Sequence, residues 1–288
     1  MDYYQPPQVE HVEYMPANHQ EEVKNVENVK YQVREAYGEV AKSNNQKKSC
    51  GNSRSCCGIS ATKDDSYSRE LGYSLEELSS VPEGSNMGLG CGNPHVTALY
   101  KKGETVLDLG AGGGFDVFLA SKLVGPTGKV YGVDMTPEMI SNARLKAEKN
   151  EYHNVEFLLG EIEHLPLPDK SIDAIISNCV VNLSTNKSQV FKESFRVLRD
   201  GGRLAISDIV AHQPLPKEMV NNEELYCNCI SGAITIDEIK RLLKQEGFVE
   251  IVIEPDEDSQ MYIKDWVPGA NAENYVVSAK ITAVKPRG

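Results

Sequence analysis

From residue 105 onwards, short apolar runs alternate with stretches of helical periodicity, and this alternation limits the fold more than any other feature of the sequence. The first run, Thr105–Leu109, ends at a glycine-rich segment, and a helical stretch follows at residues 115–123. Further runs and helical stretches follow in turn, at residues 129–133, 137–149, 155–159, 172–176, 190–198, 203–207, 237–245 and 249–253. Strands alternating with helices predict an α/β fold, with a mostly parallel sheet, helices on both faces and right-handed connections. Residues 275–284 predict a last strand, added in the antiparallel direction.

The chain before this alternation has a different character. Apolar residues recur at spacings of three, four or seven between residues 21 and 42, which predicts an amphipathic helix. Residues 43–90 are rich in Ser, Gly, Asn and Lys, and they contain a short helix near residues 76–78 that Ser74 is placed to cap. We therefore expect a flexible tail, an N-terminal helix with cysteine-containing loops, a core domain and a C-terminal region, at residues 1–20, 21–90, 91–254 and 255–288.

Net charge and hydropathy argue against several classes of function. The chain has 288 residues and a formal net charge of -12. An acidic chain is repelled by nucleic-acid phosphates and by anionic membrane surfaces, so we expect neither as a partner. No apolar run approaches the roughly 20 residues that cross a membrane. Residues 1–20 also lack the cationic and apolar segments of a signal peptide. We therefore expect a cytoplasmic protein.

A glycine-rich loop follows the first predicted strand and opens a helix. It reads Asp108-Leu-Gly110-Ala-Gly112-Gly-Gly114, and glycines at such a turn let a ligand approach the backbone closely. Asp134 ends the second predicted strand, where a carboxylate accepts hydrogen bonds from ribose hydroxyls. The loop, its strand, its helix and this acid together predict a nucleoside site. A turn without a ligand would leave the acid unexplained.

Two nucleoside ligands compete for this loop, NAD and S-adenosylmethionine. The glycine spacing is G-x-G-x-G rather than the G-x-G-x-x-G of dinucleotide folds. A carboxylate at Asp108 would repel a pyrophosphate, but it suits the amino-acid end of S-adenosylmethionine. The loop and the order of elements resemble the class I methyltransferases, which implies their Rossmann-like fold and S-adenosylmethionine as the cofactor.

The resemblance to class I methyltransferases also implies a set of cofactor-binding residues. In that family an acidic residue after the third strand lies near the adenine, and the matching segment here contains Glu161 and Ile162. The motif that lines the methyl-transfer site ends the fourth strand, where this chain has Asn178. The full set implied is Asp108, Gly110, Gly112, Gly114, Asp134, Met135, Glu161, Ile162 and Asn178.

The chain has seven cysteines, an odd number that does not suggest a secreted disulfide scaffold. Cys179 ends the fourth predicted strand, and that end of an open α/β sheet faces the ligand crevice. Cys91 lies among glycines in a loop before the first strand, and Cys229 lies after the fifth; both loops can fold over the same crevice. A free cysteine is often simply a small buried hydrophobe, which fits Cys91 poorly because its glycine neighbours offer little core. The histidines are scattered without zinc-ligand spacing.

Several longer motifs make the resemblance more specific. Gly-Leu-Gly-Cys91-Gly-Asn-Pro, Ser-Asn-Cys179-Val-Val-Asn-Leu and Cys229-Ile-Ser-Gly-Ala, together with the glycine-rich loop, resemble the arsenite methyltransferases over about residues 34–286. The resemblance implies that Cys91, Cys179 and Cys229 bind As(III) as the methyl acceptor. It also implies that an N-terminal cysteine takes part in thiol–disulfide steps. The sequence leaves open whether this is Cys50, Cys56 or Cys57; Cys57 is our candidate.

The same resemblance sets the expected partners. They are arsenite or its thiol adducts and a thiol reductant, glutathione or thioredoxin, and we expect a monomer. Two other functions are compatible with the motifs. One is methylation of a small organic molecule on the same core, in which case removal of Cys91 or Cys229 has little effect. The other is a non-catalytic metalloid-binding protein, which binds arsenite without methyl transfer.

Overall fold

We describe the fold from a computed structural model, which describes the backbone of residues 17–45 and 65–288 and the side chains of residues 26–43 and 65–288. The predicted tail, in large part, and Cys50, Cys56 and Cys57 lie outside the described residues. In chain order, the strands are β1 Thr105–Leu109, β2 Lys129–Asp134, β3 Val155–Leu159, β4 Ile172–Asn178, β5 Leu198–Ala211, β6 Val249–Asp256 and β7 Val276–Val284. The helices are α1 Ala17–Asn45, α2 Asp65–Glu70, α3 Leu75–Ser80, α4 His95–Ala98, α5 Phe115–Val124, α6 Pro137–Lys149, α7 Lys187–Val197, α8 Lys217–Val220, α9 Glu223–Cys227, α10 Ile236–Gln245 and α11 Gln260–Ile263.

The strands form one sheet in the order β3-β2-β1-β4-β5-β7-β6. Strands β1 to β5 pair in parallel, and β7 pairs antiparallel with both β5 and β6. The predicted α/β fold with a mostly parallel sheet and an antiparallel last strand is therefore confirmed. Chain order reverses beside β1, whose neighbours are β2 and β4, and such a switch point opens a crevice at the carboxyl ends of the strands.

Alternate residues of the buried strands pack on opposite faces of the sheet. In β1, Val106 packs with Phe118 of α5 and Ile140 of α6 in one core cluster. Leu107 packs with Phe191 of α7 and other residues in a second cluster on the other face. This alternation follows from the two-residue period of a strand. Helices therefore cover both faces, and the loops at the strand ends stay free to form a site.

The observed strands differ from the predicted runs mainly at β5. This strand spans Leu198–Ala211, whereas the apolar run predicted only residues 203–207. Its parallel pairing with β4 ends at Ser207, but the antiparallel pairing with β7 continues to the pair of Ala211 with Val276. The extra length thus comes from a distant partner strand, which local sequence does not reveal. Helix α3 confirms the predicted cap, since Ser74 forms a capping box with Glu77.

Helix α1 is longer and more polar than a membrane span. It extends beyond the predicted residues 21–42 at both ends. Among the residues that the structure describes, no helix is long and apolar enough to cross a bilayer.

Candidate functional site

A large cavity opens at the carboxyl ends of β1, β2 and β4, at the switch point of the sheet. About 1120 Å³ of atom-free space lies within its lining, and part of this space is open to solvent. Its wall includes Asp108 near the end of β1, Asp134 at the end of β2 with Met135 after it, and Asn178 at the end of β4 with Cys179 after it. Several predicted site residues from separate parts of the sequence therefore surround one space.

The glycine-rich loop contributes Gly110, Gly112 and Gly113 to the wall of this cavity, whereas Gly114 is not in the wall. Gly110, Gly112 and Gly114 have φ angles of 75°, 49° and 90°, which side chains disfavour. A Cβ atom on Gly110 would lie 2.4 Å from a methyl carbon of Val180, whereas a Cβ on Gly112 would meet nothing within 4 Å. Gly110 is thus required for packing, and Gly112 leaves open space beside its backbone.

Asp134 is held rigidly at the end of β2. Its Oδ2 accepts a hydrogen bond of 2.9 Å from the amide of Gly112, and its Oδ1 accepts one of 2.8 Å from the amide of Thr136. Burial raises the pKa of this carboxyl, while these two amide hydrogen bonds act in the opposite direction. Each oxygen retains a second acceptor position, so the carboxylate can bind two ligand hydroxyls.

Asp108 is a buried carboxylate that also lines the cavity. Burial raises its pKa well above the ordinary value, and the nearby carboxylates of Asp116 and Asp134 raise it further. None of the hydrogen bonds found among the described residues reaches the Asp108 side chain. A buried acid without a donor is costly unless a ligand supplies one. A cationic group in the cavity would therefore be stabilised here.

The segment after β3 contributes differently from the sequence prediction. Ile162 lines the cavity, as does Glu163, but Glu161 is not in the cavity wall. Glu161 instead binds Lys30 at 2.7 Å and Arg34 at 3.4 Å on α1. Glu163 accepts a 2.7 Å hydrogen bond from Ser184. The sequence analysis missed Glu163, although a second acid two residues after Glu161 was visible there.

Helix α1 covers the cavity, which the sequence analysis did not foresee. Lys30, Val33 and Tyr37 belong to the cavity wall. Besides its ion pairs with Glu161, the helix contacts the segment of the third cysteine, because the Tyr37 hydroxyl donates to the carbonyl of Cys227 at 3.1 Å. The N-terminal extension therefore belongs to the site.

Three buried thiols meet beside the cavity: those of Cys91, Cys179 and Cys229. Both of the other thiols lie close enough to the Cys179 thiol to raise its pKa. Cys179 follows β4, Cys91 precedes α4, and Cys229 follows α9, so the fold brings together residues that are far apart in the sequence. Only Cys179 of the three lies in the cavity wall itself.

The loop of Cys91 is fixed to the end of β4 by Asn178. The Asn178 Oδ1 accepts from the amide of Cys91 at 3.0 Å, and its Nδ2 donates to the carbonyl of Gly92 at 2.8 Å. A Cβ on Gly90 would lie 2.6 Å from the Asn178 Nδ2. The glycines around Cys91 thus allow the two backbones to approach, which explains the Gly-Cys-Gly pattern.

A polar network extends from Asn178 away from the thiols. The Asn178 Nδ2 also donates to the Tyr73 hydroxyl at 3.1 Å, and that hydroxyl donates to Asp116 Oδ1 at 2.7 Å. The Nε2 atom of His95 lies 3.0 Å from the same oxygen, and its Nδ1 atom lies 2.7 Å from the Tyr100 hydroxyl. This network fixes the rotamer of Asn178.

The loop of Cys229 is anchored on the turn after β4. The Asn182 Nδ2 donates to the carbonyl of Cys229 at 3.2 Å. A Cβ on Gly232 would lie 2.0 Å from the carbonyl oxygen of Asn182. Glycine in the Cys-Ile-Ser-Gly-Ala motif therefore permits the close contact that places the Cys229 thiol.

Burial raises the pKa of Cys91 and, more strongly, that of Cys179. The thiols are therefore largely neutral in the unliganded protein near neutral pH. A further buried acid lies against them: ligand atoms of Cys91, Cys179 and Asp208 all lie within 4.8 Å of one another. The sequence analysis missed Asp208, because it lies inside β5 rather than in a loop.

Comparison with known proteins agrees with this geometry. A family model described as "Methyltransferase domain" matches residues 100–247. The chain is 46% identical over 267 residues to an arsenite methyltransferase of Halobacterium salinarum, covering 90% of this chain and 67% of that protein. It is 38% identical over 156 residues to the human arsenite methyltransferase, covering 50% of this chain and 40% of that protein.

Among solved structures, the chain resembles an arsenic (III) S-adenosylmethionine methyltransferase from Chlamydomonas reinhardtii. The TM-score is 0.57 and the identity 32%, with 77% of this chain and 73% of that chain covered. The chain also spans half of the arsenite methyltransferase of Aquipseudomonas alcaligenes, with 42% identity over 176 residues, which are 59% of this chain. The described fold, the extent of the Halobacterium match and the methyltransferase domain together place the chain in one family: it belongs to the arsenite methyltransferases.

Proposed function

We propose that this protein transfers methyl groups from S-adenosylmethionine to trivalent arsenic bound by Cys91, Cys179 and Cys229. The observation that carries the proposal is the meeting of three buried thiols beside a cavity lined by acids suited to a nucleoside and a cation. Trivalent arsenic forms three bonds to soft sulfur ligands and keeps one lone pair, which matches a set of three thiols.

The cavity residues fit S-adenosylmethionine. Asp134 retains acceptor positions for the two ribose hydroxyls, and the undonated carboxylate of Asp108 suits the ammonium group of the methionine part. Met135 and Ile162 supply apolar contacts, and Glu163 an acceptor, for the adenine. When bound, the cofactor supplies an electrophilic methyl group. The residues of the protein contribute mainly by orienting the two reactants.

Neutral buried thiols suit the uptake of arsenous acid. Each thiol can form an As–S bond while its proton leaves with one hydroxide of the acid as water. Three exchanges release three waters, and no net charge is created in the buried site, where a new charge would be costly. The raised pKa of Cys179 therefore does not oppose this binding, because a neutral acid meets neutral thiols.

Methyl transfer to arsenic requires no general base, because the attacking lone pair carries no proton. Oxygen and nitrogen acceptors often require one. Donation of the lone pair formally oxidises arsenic from the trivalent to the pentavalent state. Two thiols can return the two electrons by forming a disulfide, and an external thiol can reopen it. The proposal therefore includes a thiol reductant, glutathione or thioredoxin, with Cys57 as the candidate redox partner, in a monomeric cytoplasmic protein.

A turnover assay tests the proposal. Reduced protein is incubated with arsenite, S-adenosylmethionine and excess thiol, and the arsenic species are separated and identified. We expect methylated arsenic from the wild type and from a matched control, Cys227→Ser. Cys179→Ser should abolish methylation while S-adenosylmethionine binding stays nearly intact. Equal loss of both activities in Cys179→Ser would sink the assignment of this thiol.

The same assay separates the two other functions. An enzyme for a small organic substrate would yield no methylated arsenic, and substitution of Cys91 or Cys229 would not alter its own activity. A metalloid-binding protein would retain arsenite, with a working cofactor site, but release no methylated product. The family membership favours arsenic over both.

A further inference from the structure

A carboxylate completes the thiol cluster on one side. The ligand atoms of Asp208, Cys91 and Cys179 lie within 4.8 Å of one another, and all three residues are buried. Asp208 is also close enough to Cys229 to act on its thiol electrostatically. Cys229 lies outside this three-residue group, so the four donor atoms, three sulfurs and a carboxylate, surround one ion only when the Cys229 thiol moves towards it, whereas trivalent arsenic uses only the three sulfurs.

The carboxylate of Asp208 is fixed in place by groups other than the thiols. Its Oδ1 accepts from the Asn182 Nδ2 at 3.0 Å and from the amide of Ile209 at 2.8 Å, while its Oδ2 accepts from the amide of Asn182 at 3.3 Å. With about two acceptor positions on each oxygen, Oδ1 is fully used, whereas Oδ2 retains a position for a ligand. Asp208 therefore needs little reorganisation to bind a cation.

Asp208 is not part of the wall of the large cavity. Cys179 lines the large cavity, whereas Asp208 lines a second, smaller one together with Lys187 and Asn182. In the proposed arsenic complex, the arsenic lone pair takes the place of a fourth ligand and faces the methyl donor in the large cavity. In a cation complex, the carboxylate of Asp208 would be the fourth ligand.

We propose that Cys91, Cys179, Cys229 and Asp208 form a four-donor site for a thiophilic divalent cation of the zinc and cadmium type. Such cations favour tetrahedral sets of thiolate with nitrogen or carboxylate ligands. The proposal goes beyond arsenic methylation, because arsenic needs no fourth ligand. It predicts that a divalent cation and arsenite exclude each other, since both require the same thiols.

One divalent cation displaces three thiol protons into solution and gains three metal–sulfur bonds and one metal–oxygen bond. The bound site then carries two net negative charges. Lys187 lies within electrostatic range of both Asp208 and Cys229, so its ammonium group partly offsets this charge. Arsenous acid leaves no such charge on its three sulfurs.

The decisive experiment uses Cd(II) with a protein whose other cysteines are removed, Cys50→Ser/Cys56→Ser/Cys57→Ser/Cys227→Ser. Without arsenite or S-adenosylmethionine, we expect one Cd(II) per chain and a thiolate-to-cadmium absorption band. X-ray absorption of the cadmium-loaded protein should show three sulfur ligands and one oxygen. Adding Cys179→Ser should remove tight binding. An unchanged affinity in that variant would overturn the proposal, because Cd(II) would then bind elsewhere.

Substitution of the acid tests its part in the site. In the same background, Asp208→Asn should weaken Cd(II) binding about ten-fold or more, a loss worth about 1.4 kcal/mol, and leave arsenite binding within about two-fold. Asp237→Asn, on the exposed first turn of α10, is the matched control and should change neither. Equal Cd(II) affinity in Asp208→Asn and its parent would overturn the carboxylate ligand.

The X-ray measurement on the parent remains decisive if Asp208→Asn is poorly folded. If cadmium in the parent protein had only sulfur ligands, the proposal would be overturned, and no variant would be needed to show it. This experiment contains no methyl donor and no arsenic, so its failure is distinguishable from failure of the proposed methylation, which the turnover assay reports separately. Success should be accompanied by loss of methylation on adding Cd(II), restored by excess arsenite.

Discussion

The thiol of Cys229 donates a hydrogen bond of 2.7 Å to the backbone carbonyl oxygen of Cys179, and both residues have left-handed backbone conformations. Their φ angles are 61° and 60°. A residue other than glycine in this region is strained by about 1–2 kcal/mol. Two of the three clustered thiols are thus presented by strained turns, which the surrounding packing must hold. In these left-handed conformations the two residues lie close together, whereas a relaxed turn at either residue would move its thiol away.

Replacing these cysteines with glycine or alanine should expose the strain. We expect the free energy of unfolding of Cys229→Gly to exceed that of Cys229→Ala by about 1 kcal/mol, because glycine tolerates a positive φ. The same order is expected at Cys179. Urea denaturation of reduced protein measures the difference.

Cys91 supplies the control for this comparison, because it is not among the residues with positive φ. There the alanine variant should be at least as stable as the glycine variant, since glycine only adds flexibility to the unfolded chain. Equal stability of the glycine and alanine variants at both Cys179 and Cys229 would show that the turns carry no strain.

The side chain of Asn178 should matter more for arsenic than for the cofactor. It accepts from the amide of Cys91 and donates to the carbonyl of Gly92. Asn178→Ala leaves these buried groups unpaired at a cost of about 1–3 kcal/mol, so the Cys91 loop should lose its place beside Cys179. We expect arsenite affinity to fall about ten-fold or more, with a smaller change for S-adenosylmethionine.

Calorimetric titration with each ligand measures both affinities for Asn178→Ala. Asn150→Ala, at the exposed end of α6, is the matched control and should bind both ligands as the wild type does. A larger loss for S-adenosylmethionine than for arsenite would instead assign Asn178 mainly to the cofactor, as its sequence position alone suggests.

Much of the fold was predictable because each buried strand is a short apolar run whose ends are visible in the sequence. Residues 155–159 were predicted as the third strand and form β3, and residues 137–149 form α6 as expected. The full length of β5 was not predictable, because its last residues are in a strand only through pairing with β7. The local hydrophobic pattern of a segment indicates its burial and its periodicity, whereas the position at which a strand ends depends on pairing with residues distant in the sequence.

The site was predictable to the extent that its residues lie in loops after strands. Asp134 ends β2 and Cys179 directly follows β4, so topology alone brings both to the crevice. Helix α1 and Asp208 were missed for different reasons. A helix of ordinary polarity gives no sign of what it covers, and an acid inside a strand resembles one that faces solvent. Glu163 lines the cavity and Glu161 does not. This difference depends on side-chain orientation, which the sequence of the segment does not show.

Asp134 is expected to contribute strongly to cofactor affinity. Its carboxylate lines the cavity and is held by the amides of Gly112 and Thr136. Hydrogen bonds to a charged acceptor are worth about 1.5–3 kcal/mol. Asp134→Ala should therefore weaken S-adenosylmethionine binding at least about ten-fold, and Asp134→Asn should weaken it less. Asp265→Ala, on an exposed turn, is the control, and circular dichroism verifies folding. Wild-type affinity in Asp134→Ala would refute the ribose role.

Lys146 on α6 should make stability depend on alkaline pH. Its Nζ donates to the carbonyl of Gly84 at 2.8 Å, beneath the glycine-rich loop, and burial lowers the pKa of its ammonium group from 10.5 to about 8. Below about pH 8 both the folded and the unfolded chain keep this proton, and the folded state bears the cost of burying the charge. Between about 8 and 10.5 the folded chain loses the proton while the unfolded chain retains it, so this group's contribution to stability rises with pH.

The Lys146→Gln variant isolates this contribution, because glutamine retains a donor for Gly84 but cannot titrate. Buried thiols titrate in the same range with the opposite sign, since their pKa values are raised in the folded state, and subtracting the two proteins cancels them. We expect the free energy of unfolding of the wild type, minus that of Lys146→Gln, to increase between about pH 7.5 and pH 10. Urea denaturation in a thiol reductant measures this difference at each pH. A difference that stays flat or falls over that interval would show that the ammonium group keeps its ordinary pKa and is solvated in the folded protein.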